Sequence, residues 1–201
     1  MARLSRWIVL ALLLQPIGLV AAAFPGFAVA TPAGEAWRQV QHNAVSIVWM
    51  RRTPDSASSF GAAVLTSRLN TRFEDDDSFL DWVRRSKSAN PDPEQFAVRE
   101  SSYALDPTIA ERCVRYRTLI EVLPASTLLE VAGLACLHPD EPGRYFDVQY
   151  SARYPLGGKL ADELANEGAA FVDSFRFNAV PADGDWSLGS GAPVESRQDA
   201  A

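Results

Sequence analysis

The chain has 201 residues, of which 47% are hydrophobic and 22% are charged, and its formal net charge is −6. This apolar content is too high for a disordered chain, and two cysteines are too few for a disulfide-rich miniprotein. A net negative charge is unusual for a nucleic-acid-binding protein. The class that remains is one globular domain, large enough to bury a hydrophobic core.

The first 30 residues have the three-part order of a secretory signal peptide. Arg3 and Arg6 precede an apolar segment, and residues 28–30 place alanine at the −3 and −1 positions of a cleavage before Thr31. We therefore predict that residues 1–30 are a cleaved signal peptide and that the protein is periplasmic or secreted. Their removal takes away two arginines and no acid, so the net charge changes from −6 to −8. A charge of this sign disfavours nucleic acid and anionic lipid as partners.

The alternative for this segment is a retained membrane anchor. Residues 7–30 form a mostly apolar stretch of 24 residues, which is long enough to span a bilayer. Pro16 and Pro25 interrupt it, and no basic stop-transfer cluster follows, so the pattern favours a signal peptide. No later segment is apolar enough to span a membrane, and we expect no membrane span after cleavage.

We predict one α+β domain over residues 45–178, with a polar lead-in over residues 31–44 and a flexible tail over residues 179–201. The expected architecture is an antiparallel meander of about six strands, packed by two main helices, because a sheet alone would expose its apolar face. The lead-in is interpreted as containing a short helix. Strands are predicted where residues alternate between apolar and polar or are rich in β-branched types, over 45–50, 60–69, 96–105, 112–123, 127–137 and 144–154.

The first predicted helix follows an acidic run at residues 74–77 and extends over residues 77–87. Acidic side chains at its start and basic ones at its end suit the helix dipole, and Asp77 or Ser78 is expected to cap it. The acidic run lacks the glycine and the terminal glutamate of a calcium loop, so we interpret it as part of the cap.

The second predicted helix extends over residues 160–174, where apolar side chains recur at helical spacing. Gly168 lies in its middle and costs about 1 kcal/mol relative to alanine. This cost suggests that another group packs close to the helix backbone at that position.

The two cysteines of the chain, Cys113 and Cys136, predict one disulfide in an exported protein. If the turn between their strands places Val122 opposite Thr127, the same register places Cys113 opposite Cys136, within reach of a bond. The chain has no Cys-x-x-Cys motif, and its two histidines show no metal-ligand spacing. We expect a structural disulfide and no metal or other cofactor.

A compact polar cluster of His138, Asp140 and Glu141 lies between two predicted strands. A hydrolase could use such an imidazole as a base beside an acid, but the chain has no Gly-x-Ser-x-Gly nucleophile motif. We interpret the cluster as a solvated turn and assign no catalytic residue.

Four aromatic residues offer a second candidate site, since Tyr145, Tyr150 and Tyr154 with Trp49 could line an aromatic pocket. Tyr150 and Tyr154 share the apolar register of their strand. This shared register favours a place in the core of the sheet over a ligand pocket.

Three short stretches carry a family resemblance: residues 133–139 (GLACLHP), 148–153 (VQYSAR) and 171–175 (FVDSF). They resemble a family of uncharacterised exported proteobacterial proteins. The order of a strand meander and then a helix ending in Ser-Phe is also similar to PsbP-like and DcrB-like α/β sandwich proteins. The resemblance covers residues 45–178 and implies an antiparallel sheet with packed helices. It implies no chemistry and carries over no catalytic residue.

The leading functional hypothesis is therefore a non-enzymatic exported protein, either an accessory factor of the bacterial envelope or a binder of a small-molecule or peptide partner there. One alternative is a hydrolase-type enzyme that uses His138 with the nearby acids. The other is a membrane-tethered interaction domain, if residues 1–30 are retained.

Overall fold

The computed structural model describes residues 21–32, 36–53, 58–89, 92–181 and 183–188. Residues 1–20 of the predicted signal peptide and residues 189–201 of the predicted tail lie outside this described part. The strands are β1 (Ala21–Phe24), β2 (Phe27–Ala30), β3 (Arg38–Asn43), β4 (Ser46–Arg52), β5 (Ser59–Arg68), β6 (Phe96–Leu105), β7 (Cys113–Val122), β8 (Thr127–His138), β9 (Glu141–Pro155) and β10 (Arg176–Phe177). The helices are α1 (Asp76–Ser88) and α2 (Asp162–Asp173).

Seven strands form one antiparallel sheet in the order β3-β4-β5-β9-β8-β7-β6. Two meanders build it, because β3 to β5 run inward from one edge and β6 to β9 run inward from the other. They meet where β9 pairs with β5, and α1 lies in the connection from the central strand β5 to the edge strand β6. A second sheet has the order β1-β2-β10. The predicted α+β class with an antiparallel sheet is confirmed. The sheet differs from the expected single meander of about six strands, because it consists of two meanders that join in the centre.

The two helices cover opposite faces of the large sheet. Phe79 and Val83 of α1 pack in a cluster with Val114 of β7, whereas Phe171 of α2 packs in the cluster that contains Cys113. Cys113 and Val114 are adjacent in one strand, so their side chains point to opposite faces. The sheet is therefore buried on both sides in its middle, as the long apolar registers of β8 and β9 require.

Asp75 caps α1, two residues before the earlier of the two predicted caps. The backbone N–H of Ser78 donates to Asp75 Oδ1 at 2.7 Å, and the backbone N–H of Asp75 donates to Ser78 Oγ at 3.3 Å. This reciprocal pair is a capping box. The prediction of Asp77 or Ser78 as the cap is wrong because the helix begins at Asp76, although Ser78 takes part in the box.

The folded unit extends beyond residues 45–178 at both ends. Strand β3 lies in the predicted lead-in, so the short helix expected there is wrong. Strand β2 lies in the predicted signal peptide, yet its residues Phe27 and Val29 are 0% exposed. Trp186 and Leu188 of the predicted tail are also buried. Such short segments carry too little periodicity to reveal burial, which depends on contacts with distant parts of the chain.

Candidate functional site

The disulfide joins β7 to β8 in the predicted register. Val122 lies opposite Thr127 and Cys113 lies opposite Cys136. The Sγ–Sγ distance is 2.07 Å, the two Cα atoms are 4.2 Å apart, and both residues are 0% exposed. The prediction of a structural disulfide is confirmed, and the bond lies in the core. Such a bond is compatible with an oxidising compartment outside the cytoplasm.

The imidazole of His138 is enclosed rather than solvated. The residue is 1% exposed, and its ring lies against the aromatic rings of Phe177 and Trp186 at centroid distances of 4.9 and 5.1 Å. Nδ1 accepts a hydrogen bond from the backbone N–H of Asp140, and Nε2 bonds to the carbonyl oxygen of Asn178. Both ring nitrogens thus bind backbone, and the histidine fastens the β8–β9 turn to the segment after β10. The interpretation of a solvated turn is wrong for this ring.

Among the described residues, neither acid of the cluster places its carboxylate in a hydrogen bond or ion pair with the imidazole, whose two nitrogens bond to backbone groups. Asp140 is exposed, and the Glu141 carboxylate accepts a hydrogen bond from Arg68 at 2.9 Å. His138, Asp140 and Glu141 are therefore close in sequence, but the structure does not arrange them as a base with an orienting acid. This geometry gives no support to the hydrolase alternative.

The four aromatic residues of the second candidate site lie in the core, which confirms the prediction from strand register for Tyr150 and Tyr154. Trp49, Tyr150 and Tyr154 are buried on the α2 face of the sheet, while Tyr145 packs in the cluster on the α1 face. They do not gather around one pocket. Tyr150 alone of the four lines the cleft described next.

A cleft of about 500 Å³ lies between α2 and the half of the sheet that contains β6 to β9. Helix α2 packs mainly over β9 and β8, and residues of β6 and β7 line the side of the cleft away from the helix. The residues on both sides are small where larger ones would close the space: Ala132 of β8, and Ala165 and Ala169 of α2. The cleft is therefore an apolar space that missing side-chain volume leaves open.

Gly168 brings the helix backbone down onto the ring of Tyr150. A Cβ atom at this position would lie 2.5 Å from Cδ1 of Tyr150. The expectation that a group packs closely there is confirmed. The ring passes beneath the helix and is 4% exposed, and its hydroxyl has no hydrogen-bond partner among the described residues. Burial, with a contribution from Glu167, raises the pKa of the Tyr150 phenol.

Ion pairs form the rim of the cleft. Arg115 Nη2 lies 2.8 Å from both Asp106 Oδ2 and Asp173 Oδ1, which ties the sheet to the end of α2. Arg117 Nε donates to Glu130 Oε1 at 2.7 Å, and this hydrogen bond raises the pKa of the guanidinium. Each arginine is thus already satisfied by protein carboxylates.

The cleft was not predicted from the sequence, although the sequence contains one signal of it. Residues 165, 168 and 169 have the spacing that places side chains on one face of a helix, and all three are small. Only the glycine stands out in the sequence, because alanine is common in helices. No particular residue type or spacing in a sequence marks a space that exists because side chains are small.

A buried ion pair on the α1 face is a second feature that the strand alternation did not reveal. Asp147 is 5% exposed and accepts a hydrogen bond from the hydroxyl of Tyr116 at 2.7 Å, and its other oxygen bonds to Lys87 Nζ. The ammonium also lies 4.5 Å from the centroid of the Tyr116 ring. Burial, then the Asp147 charge, raises the pKa of Tyr116 well above its ordinary value. These contacts anchor the end of α1 to the sheet.

Neither the models of known protein families nor the curated proteins include a match to this chain. In the part of the chain that the structure describes, no helix has both the length and the apolar character needed to cross a bilayer. The same part contains no group of three or more potential ligand residues placed to hold a metal ion.

Proposed function

We propose that this protein is an exported, non-enzymatic binding protein that holds a small apolar molecule in the cleft beside α2. The observation that carries the proposal is the cleft itself: about 500 Å³ of mostly apolar space, with alanine and glycine among the lining residues of both the helix and the sheet. Binding sites for small molecules are typically concave, mostly apolar and of this volume. An accessory role in the bacterial envelope is the wider function that such binding would serve.

The charge of the rim narrows the ligand class. Arg115 and Arg117 face four carboxylates within ion-pair distance, those of Asp106, Asp173, Glu130 and Glu100. Counted with these partners the rim is net negative, and both arginines among the described lining residues are paired, so neither is free for an anionic head group. We propose a ligand with an apolar body and a neutral or cationic polar end.

Export is supported by two independent features. The first is the order of basic, apolar and small residues at the start of the sequence. The second is the buried disulfide, since such bonds form and persist in oxidising compartments. Alkylation of denatured protein from the periplasmic fraction tests this: we expect no labelled thiol before reduction and two after it. Two labelled thiols before reduction would contradict the proposal.

Titration with the neutral probe N-phenyl-1-naphthylamine tests the cleft as the binding site. Ala169→Leu fills the cleft from α2, and Ala170→Leu is the matched control because it is also exposed but does not line the cleft. We expect Ala169→Leu to weaken probe binding at least tenfold and Ala170→Leu to leave it unchanged. Equal effects of both substitutions, or no saturable binding to the unaltered protein, would contradict the proposal.

A charged probe tests the sign of the rim charge. An anionic naphthalene sulfonate probe has a similar ring system but meets a net negative rim. We expect it to bind more weakly than the neutral probe and to gain affinity in a Glu130→Gln variant, because that change removes one rim carboxylate. A preference for the anionic probe would overturn the proposed ligand class.

A further inference from the structure

Residues 24–30, which the predicted cleavage before Thr31 would remove, form part of the hydrophobic core. Phe27 is 0% exposed, and its ring lies 5.3 Å from that of Phe146 and 5.8 Å from that of Phe175, between centroids. Val29 is also 0% exposed. Cleavage before Thr31 would take both side chains out of the core and leave their neighbours facing solvent.

Backbone contacts tie the same segment to the C-terminal part of the fold. Strand β2 pairs with β10, the backbone N–H of Ala30 donates to Ser174 Oγ at 2.9 Å, and the backbone N–H of Asn178 donates to the Gly26 carbonyl oxygen at 2.9 Å. Gly26 has a φ of +76°, and a Cβ there would lie 2.1 Å from the ring of Trp186. The chain from residue 26 onward therefore belongs to the folded protein.

A second set of small residues lies seven positions earlier in the sequence. Residues 21–23 are three alanines, so they place alanine at −3 and −1 of a cleavage before Phe24. A leader of 23 residues falls within the ordinary length of signal peptides, about 15–30 residues. Strand β1 is an edge of the small sheet and pairs with β2, so loss of residues 21–23 leaves the β2–β10 pairing in place.

We infer that signal processing occurs between Ala23 and Phe24, and that the mature protein begins at Phe24. This inference rests on the proposed export. A membrane-bound signal peptidase would hydrolyse the Ala23–Phe24 peptide bond during translocation, before β1 forms. Water supplies the hydroxyl that completes the Ala23 carboxyl group and the proton that completes the Phe24 amine. The Phe24 ring keeps its stacking on Phe27, at a centroid distance of 5.0 Å.

Intact mass and N-terminal sequencing of the full-length chain, expressed in a Gram-negative host and recovered by fractionation, test the position. We expect a periplasmic protein that begins at Phe24. A periplasmic protein that begins at Thr31 overturns the inference and leaves the proposed export standing. Unprocessed protein in the cytoplasm overturns the proposed export and the inference with it, and unprocessed protein in the membrane fraction overturns the inference in favour of a retained anchor.

Two substitutions at matched −3 positions sharpen the result. Ala21→Gln places a large side chain at −3 of the cleavage before Phe24, and Ala28→Gln does the same for the cleavage before Thr31. We expect Ala21→Gln to accumulate precursor and Ala28→Gln to be processed at Phe24 like the unaltered chain. Because processing precedes folding, pulse-labelled precursor and product report the cleavage even if a variant folds poorly. The reverse pattern would overturn the inference.

Discussion

For the replacement of Gly168 by alanine, helix propensity and packing predict opposite changes in the free energy of unfolding. Propensity alone predicts that Gly168→Ala stabilises the protein by about 1 kcal/mol, because glycine is the poorer helix former. The structure predicts the opposite sign. A Cβ atom at this position would lie 2.5, 2.8 and 2.9 Å from the Cδ1, Cγ and Cε1 atoms of Tyr150.

The magnitude follows from how little the ring can move. Tyr150 is 4% exposed. Its ring makes an edge-to-face contact with the ring of Trp37, and the two ring centroids are 6.0 Å apart. The close atoms include Cγ at the base of the ring, so the side chain cannot swing clear by rotating its far end. Overpacking of this kind costs about 1–3 kcal/mol. Against a propensity gain of about 1 kcal/mol, the expected net loss of unfolding free energy is about 1 kcal/mol.

Urea unfolding, followed by tryptophan fluorescence, measures this in a double-mutant cycle with Tyr150→Ala. In the Tyr150→Ala background the ring that would clash with the new Cβ atom is absent, so Gly168→Ala is expected to stabilise the protein by about 1 kcal/mol. The coupling free energy between the two positions is then about 2 kcal/mol. Stabilisation of the unaltered protein by Gly168→Ala, with no change of sign in the cycle, would refute the packing argument.

Three further predictions concern stability and use the same urea unfolding assay. Replacing Cys113 and Cys136 together by alanine should cost about 3 kcal/mol, since the bond closes a loop with a sequence separation of 23 residues; a cost below about 1 kcal/mol would contradict this. Lys87→Met should cost about 3 kcal/mol or more because it leaves a buried carboxylate without its cation, whereas the exposed control Lys159→Met should change stability by less than about 0.5 kcal/mol. Burial, then that same carboxylate, raises the pKa of the Tyr116 phenol, so the folded protein keeps a proton that the unfolded chain loses near pH 10. Stability should therefore fall as the pH rises above about 10, and Tyr116→Phe should reduce that slope; an unchanged slope would contradict this.

Local patterns determined the long elements of this protein. Strand β7 is predicted over residues 112–123 and is Cys113–Val122, and α2 is predicted over residues 160–174 and is Asp162–Asp173. An alternation or a helical period that repeats over ten residues reports burial within one element, which needs no knowledge of its neighbours. The register that pairs the two cysteines could also be predicted from local sequence, because a short turn determines which residues of a hairpin face each other.

Tertiary structure alone decided the contacts between distant segments. Nothing local indicates that β5 lies beside β9, that β2 enters the core, or that Trp186 returns to pack on Gly26. Asp147 lies on the side of its strand opposite to Phe146 and Tyr150. It is buried under α1, from which Lys87, 60 positions earlier, reaches it. The cleft beside α2 depends on where a helix stops covering a sheet. Burial, ion pairing and open space of this kind are properties of two surfaces that meet, and one stretch of sequence specifies only one of them.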